Sequence, residues 1–116
     1  MAHPVIHWEI AAEDADKLQE FYSKLFEWKI DSNNPMNYGA VETGGKGGIN
    51  GGIFKGEGEI PKYVTFYVEV DDLQAYLDKA VSLGGTQIIP PTPIPNVGHY
   101  AMFKDPENNL IGLFKR

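Results

Sequence analysis

Cysteine is absent from this chain of 116 residues, and that one absence removes thiolate metal sites, disulfide staples and cysteine nucleophiles together. Clustered positive charge is missing too. The 10 Lys and Arg stand against 16 Asp and Glu, for a net charge of -6. No Lys/Arg run offers an electrostatic footprint for a phosphate backbone, so nucleic acid is not an expected partner. No apolar stretch approaches the roughly 18 residues that span a bilayer, and the start of the chain carries no basic segment followed by an apolar run. The expectation is a soluble, cytoplasmic protein with no membrane contact. A Gly-x-Ser-x-Gly elbow is lacking, and Ser23, Ser32 and Ser82 have no visible base partner. The run Gly44-Gly45-Lys46-Gly47-Gly48 lacks the spacing of a P-loop and the helix that should follow one, and reads as a flexible loop.

What is present is an internal duplication. His7-Trp8-Glu9-Ile10 leads through Asp14 into a segment carrying Phe21-Tyr22, and Thr65-Phe66-Tyr67-Val68 leads through Asp72 into a segment ending at Gly84-Gly85. Thr65 follows His7 by 58 positions, and Glu13-Asp14 falls on Asp71-Asp72 at the same offset. Later, Asn37-Tyr38 answers His99-Tyr100 and Gly52-Ile53-Phe54-Lys55 answers Gly112-Leu113-Phe114-Lys115, at offsets of 62 and 60. Repeats near this length are supersecondary units that share a core. A chain this size hides roughly two thirds of its unfolded surface, too little for two independent cores, so the copies should fold as one domain.

Within the first copy, residues 4–11 alternate as a strand, with Ile6, Trp8 and Ile10 on one face and Val5, His7 and Glu9 on the other. Asp14 or Asp16 can cap the helix that follows, where Leu18, Phe21, Tyr22, Leu25 and Phe26 form a stripe expected to pack on the sheet. On that register Phe21→Ala should cost about 3–5 kcal/mol. Short strands are expected around 28–31, 38–42 and 50–55, which completes a βαβββ unit over residues 3–55. Residues 56–62 read as a linker. The second unit, 63–116, opens with a strand at 64–70 whose Phe66, Val68 and Val70 are expected in the core, opposite Thr65, Tyr67 and Glu69. A helix from Asp72 stops at Gly84-Gly85. Strands follow around 87–89, 99–104 and 110–115, while Pro90, Pro91, Pro93 and Pro95 are expected to hold an extended rim that donates nothing to a ladder.

The run His7-x-x-Ile10 to Asp14 to Phe21-Tyr22, the turn Asp105-Pro106-Glu107-Asn108-Asn109 and the paired βαβββ units together resemble the glyoxalase / bleomycin-resistance / dioxygenase superfamily, the vicinal oxygen chelate proteins. The resemblance covers essentially the whole chain. It implies an α+β fold in which two βαβββ modules curl into a half-open, eight-stranded mixed sheet or barrel, with helices outside and a small-molecule cleft inside. It also implies a homodimer.

In metal-dependent members the resemblance implies four ligand positions, which fall here on His7, Gly52, Thr65 and Gly112. Only His7 binds strongly, and glycine offers no side-chain atom. A catalytic metal takes about three protein ligands and an open position, so the expectation is no metal and no cofactor. Glycine at 52 and 112 either makes room for an apolar body or eases strand curvature.

By strand parity the expected ligand-binding cleft presents His7, Phe54, Thr65, Tyr67 and Phe114, with His99 leaning over from the proline-rich rim. Glu9 and Glu69 are the acid/base candidates, if burial tunes them; the competing reading leaves both at the cleft mouth in water. Tyr38 and Tyr100 are secondary, since strand aromatics mostly pack on neighbours. Three functions follow: a metal-independent binder of a small, partly apolar molecule, as resistance-type relatives sequester drugs; an enzyme, either a lactoylglutathione-lyase-like lyase or isomerase or a metal-free catalyst using Glu9, Glu69 and His7; or an interaction module whose cleft is unused and filled by its own side chains.

Overall fold

A computed structural model describes residues 2–116. Its elements run β1 (Val5–Ala12), α1 (Ala15–Phe26), β2 (Lys29–Asp31), β3 (Gly39–Glu42), β4 (Gly51–Lys55), β5 (Tyr63–Glu69), α2 (Leu73–Ser82), β6 (Thr86–Ile94), β7 (Gly98–Lys104) and β8 (Leu110–Lys115). The fold is α+β and built of two βαβββ units. By contacts the first unit is His7–Val64, and the second is Thr65–Arg116 together with the residues up to Ile6. The Pro4 carbonyl accepts from the Glu69 N–H, which ties that N-terminal segment to the second unit.

Each unit is an open mixed sheet with the same plan. The first has strand order β2-β3-β4-β1 and the second β5-β8-β7-β6. In both, the first strand lies parallel to the last, and the remaining pairs are antiparallel. The registers correspond: Glu9 faces Gly52 across β1 and β4, and Tyr67 faces Gly112 across β5 and β8. Both helices are capped alike. Asp14 accepts from the Lys17 N–H at 3.1 Å and Asp72 from the Ala75 N–H at 3.0 Å, each satisfying one of the donors that a helix start leaves unpaired. Asp14, rather than Asp16, is therefore the cap of α1. Gly84, at φ 104°, ends α2 as its sequence implied, with the Gly85 N–H closing onto the Ala80 carbonyl at 2.8 Å.

Three sequence expectations change. The α1 stripe is not a core face: none of its residues is buried, and Phe21, Leu25 and Phe26 are half exposed. Of the stripe, Leu18 and Tyr22 are partly buried, and they share that face with Ala15, Gln19 and Ser23, so the helix is rotated from the expected register. Gln19 fixes that rotation by donating to the Ile53 carbonyl at 2.8 Å. Second, Phe66 is exposed, while Thr65 and Tyr67 are buried. Third, the prolines do not form a separate rim. Pro90, Pro91 and Pro93 lie within β6, which is the edge strand of its unit, with register shifts between Gln87 and Ile89 and between Ile89 and Thr92. An edge strand bonds on one side only, and that is where proline's missing donor is tolerated.

The second unit's core gathers Val70, Leu73, Leu77, Ala101 and Leu113. In the first unit Ala11, Val41 and Ile53 are buried, and an aromatic row of Trp8, Trp28, Tyr22 and Phe26, with ring centroids 5.0–6.2 Å apart, joins α1 to β1. Among the described residues no helix is long and apolar enough to cross a membrane.

Candidate functional site

Alternation along β1 puts His7 and Glu9 on one face. Glu9 is 7% exposed, a degree of burial that a carboxylate sustains only with partners. Two tyrosines supply them. The Tyr38 hydroxyl donates to Glu9 Oε2 and the Tyr63 hydroxyl to Glu9 Oε1, each at 2.8 Å. The Tyr38 oxygen also lies 2.8 Å from His7 Nε2. A phenol has one proton, and Tyr38 gives it to Glu9, so at its other contact Tyr38 accepts. His7 therefore carries its proton on Nε2.

The electrostatics agree with that assignment. Burial pushes the His7 pKa below its usual 6.5, against a smaller upward pull from Glu9. Burial also drives the Tyr38 pKa far above its usual 10.0, and the Glu9 charge and hydrogen bond add to the shift. Neutral imidazole, neutral phenol and an accepting carboxylate make one consistent arrangement.

Tyr38 reaches this position from the turn before β3. Asn34 grips its backbone at two points: the Asn34 side chain accepts from the Tyr38 N–H at 2.9 Å and donates to the Tyr38 carbonyl at 2.6 Å. Asn37 takes the left-handed φ of 51° that the turn needs, which asparagine tolerates. Beneath the ring lies Gly52, and a Cβ there would fall inside the Tyr38 hydroxyl. Gly112 has the same relation to the ring of Tyr67, and Gly51 to the indole of Trp8. The glycines thus make room for the protein's own aromatics. Phe54 completes the first-unit cluster, 5.4 Å from Tyr38 and 6.2 Å from Tyr63 between ring centroids.

Of the residues expected at a site, the first unit brings together His7, Glu9 and Phe54. The second unit carries Thr65, Tyr67, Glu69, His99 and Phe114. There, Thr65 is buried and donates to the Leu110 carbonyl at 2.6 Å. Glu69 pairs with Arg116 at 2.6 Å beside a shallow groove that His3, Asp71 and Lys115 also line. His99 is exposed and lies opposite Lys115, and Phe114 lies opposite Tyr100. The two glutamates, equivalent by parity, have separate environments: a tyrosine clamp for Glu9 and a surface ion pair for Glu69.

Tyr38, set aside in the sequence as a packing aromatic, and Tyr63, not singled out there, are the residues the sequence reading missed. Tyr63 also borders a groove of about 560 Å³ along Ile10, Ala11, Leu18, Phe21 and Val64, so its ring connects that apolar surface to buried Glu9.

In each unit the side chains at the positions the resemblance points to are engaged with the protein itself. His7 presents a protonated Nε2, both Glu9 oxygens accept from tyrosines, Tyr38 fills the space over Gly52, and the Thr65 hydroxyl is committed to a backbone carbonyl. Among the described residues no three His, Cys, Asp or Glu side chains gather as a metal site would require.

The comparisons agree with the architecture. A "Glyoxylase-like domain-containing protein" of Didymella fabae is 34% identical over 93% of this chain and 90% of its own length. The protein CFP32 of Mycobacterium tuberculosis, which carries a provisional glyoxylase name, is 28% identical over 92% of this chain, which spans only 43% of that relative. The crystal structure of the hypothetical protein BH1468 from Bacillus halodurans superposes with a TM-score of 0.70 over 100% of this chain and 96% of its own, at 13% identity, a likeness of fold alone. The family model of the Glyoxalase/Bleomycin resistance protein/Dioxygenase superfamily matches residues 4–113, and the chain belongs to that superfamily.

Proposed function

We propose that this protein binds a small, partly apolar molecule without using a divalent metal. The observation that carries this reading is the Tyr38 hydroxyl, which bridges His7 and Glu9 over Gly52. The aromatic run Tyr38, Phe54 and Tyr63 around one buried carboxylate has the composition of a small-ligand surface, mostly apolar with few and fixed polar groups. A general-base role for Glu9 is less well supported, because both its oxygens already accept from tyrosines. The test is an amide-shift titration, in the presence of chelator, with a panel of aryl alcohols and aryl carboxylates. Saturable shifts at Tyr38, Phe54 and Tyr63 support the reading; shifts that need added metal, or none in the first unit, contradict it.

A second reading, as an interaction module, is favoured by the exposed Phe21, Leu25 and Phe26 on α1. Clustered apolar exposure of this kind marks contact surfaces. In this reading the protein is a cytoplasmic homodimer, and light scattering on Leu25→Lys against the unsubstituted protein tests it: an unchanged mass excludes this face.

A further inference from the structure

Residue 52 lies in register beside Glu9, on the strand parallel to β1, so a side chain there would project onto the face that carries His7 and Glu9. That direction is occupied. The Tyr38 hydroxyl stands where the Cβ of residue 52 would begin, and it is 2.8 Å from both His7 Nε2 and Glu9 Oε2.

We propose that Tyr38 and Gly52 are a coupled pair that closes this face to a cation: Tyr38 excludes the metal, and glycine at 52 is what admits Tyr38. The inference rests on the metal-free reading above and adds its cause. A cation shared by His7 and Glu9 would lie about 2.0–2.2 Å from each donor. It would therefore sit between them, within the space that the Tyr38 oxygen fills. Tyr38 acts in three ways at once. It takes the room, it accepts from the Nε2 that would have to ligate, and it donates to a carboxylate oxygen that would have to ligate. The grip of Asn34 on the Tyr38 backbone makes the occupancy a built feature of the turn.

The exclusion is then reversible by two substitutions and not by one. Removing the phenol in Tyr38→Ala frees His7 and Glu9 from it but leaves two donors, below the usual count. Adding a carboxylate in Gly52→Glu supplies a third donor but collides with Tyr38. The double variant Y38A/G52E has His7, Glu9 and the new carboxylate on one face, the three protein ligands of an open zinc site.

The experiment measures melting temperature and zinc and nickel uptake, by equilibrium dialysis of tag-free full-length chains. The set is the unsubstituted protein, G52A, Y38A, Y38A/G52A, G52E and Y38A/G52E. The expected result is that G52A melts below the unsubstituted protein, that Y38A/G52A melts no lower than Y38A, and that Y38A/G52E alone takes up about one metal per chain. A folded Y38A/G52E that binds no metal overturns the proposal. So does a G52A variant that melts like the unsubstituted protein, and this arm decides the matter if Y38A/G52E does not fold. Stoichiometric metal on the unsubstituted protein overturns the metal-free reading itself, a separate outcome from failure of the pair.

Discussion

Tyr38 and Gly52 share one space: the hydroxyl of the first lies where the side chain of the second would start. Around that point the first unit gathers a histidine, a buried carboxylate and a second tyrosine.

Tyr38→Phe keeps the ring over Gly52 and its packing on Phe54 but removes the hydroxyl that serves both His7 and Glu9. A buried acceptor and donor left short of a partner cost about 1–3 kcal/mol. Denaturant unfolding should show a loss in that range with an unchanged m-value, and a loss near zero would mean the bridge is not maintained in solution.

His7 gives the fold a pH dependence. Its folded pKa is lowered from 6.5, mainly by burial, so below 6.5 the unfolded chain takes up a proton that the folded chain refuses. The His7 contribution is present in full above 6.5 and is withdrawn as pH falls from there toward the folded-state value. In His7→Gln the fall in stability as pH drops below 6.5 should be shallower than in the unsubstituted protein. Parallel curves would place His7 in solvent.

At the alkaline end the sign is opposite. Tyr38 resists ionisation because it is buried beside Glu9, so its contribution is present below its usual 10.0 and is lost as pH rises beyond it. In a phenolate absorbance titration the Tyr38 step should appear only as the chain unfolds, and Tyr38→Phe should remove one tyrosine's amplitude from that late step.

Core weight is unequal between the helices. Leu77, with 0% of its surface exposed, should cost about 2–5 kcal/mol when cut to alanine, while Phe21, 56% exposed, should cost under about 1.5 kcal/mol. The reverse order in thermal or chemical unfolding would restore the register first read from the sequence.

The duplication was legible because it is written in residues with local jobs. Asp14 and Asp72 cap their helices at the same offset, and Gly52 and Gly112 sit opposite Glu9 and Tyr67 in the same register. The α1 face was not legible: its apolar residues outnumber those one sheet face can cover, and Gln19, a polar residue, decides the rotation by bonding the Ile53 carbonyl. Nor was the part played by Tyr38. It depends on Asn34 and on a left-handed Asn37, turn geometry that no hydrophobic period encodes. Tyr63 reaches Glu9 from 54 residues away, a contact that only the folded chain brings about.

The most direct test of this account is elemental analysis of tag-free protein, purified without chelator, before and after incubation with nickel, zinc, manganese and iron followed by dialysis. The account predicts a folded protein holding far less than one metal per chain under every condition. Near-stoichiometric metal that disappears in His7→Ala would contradict it.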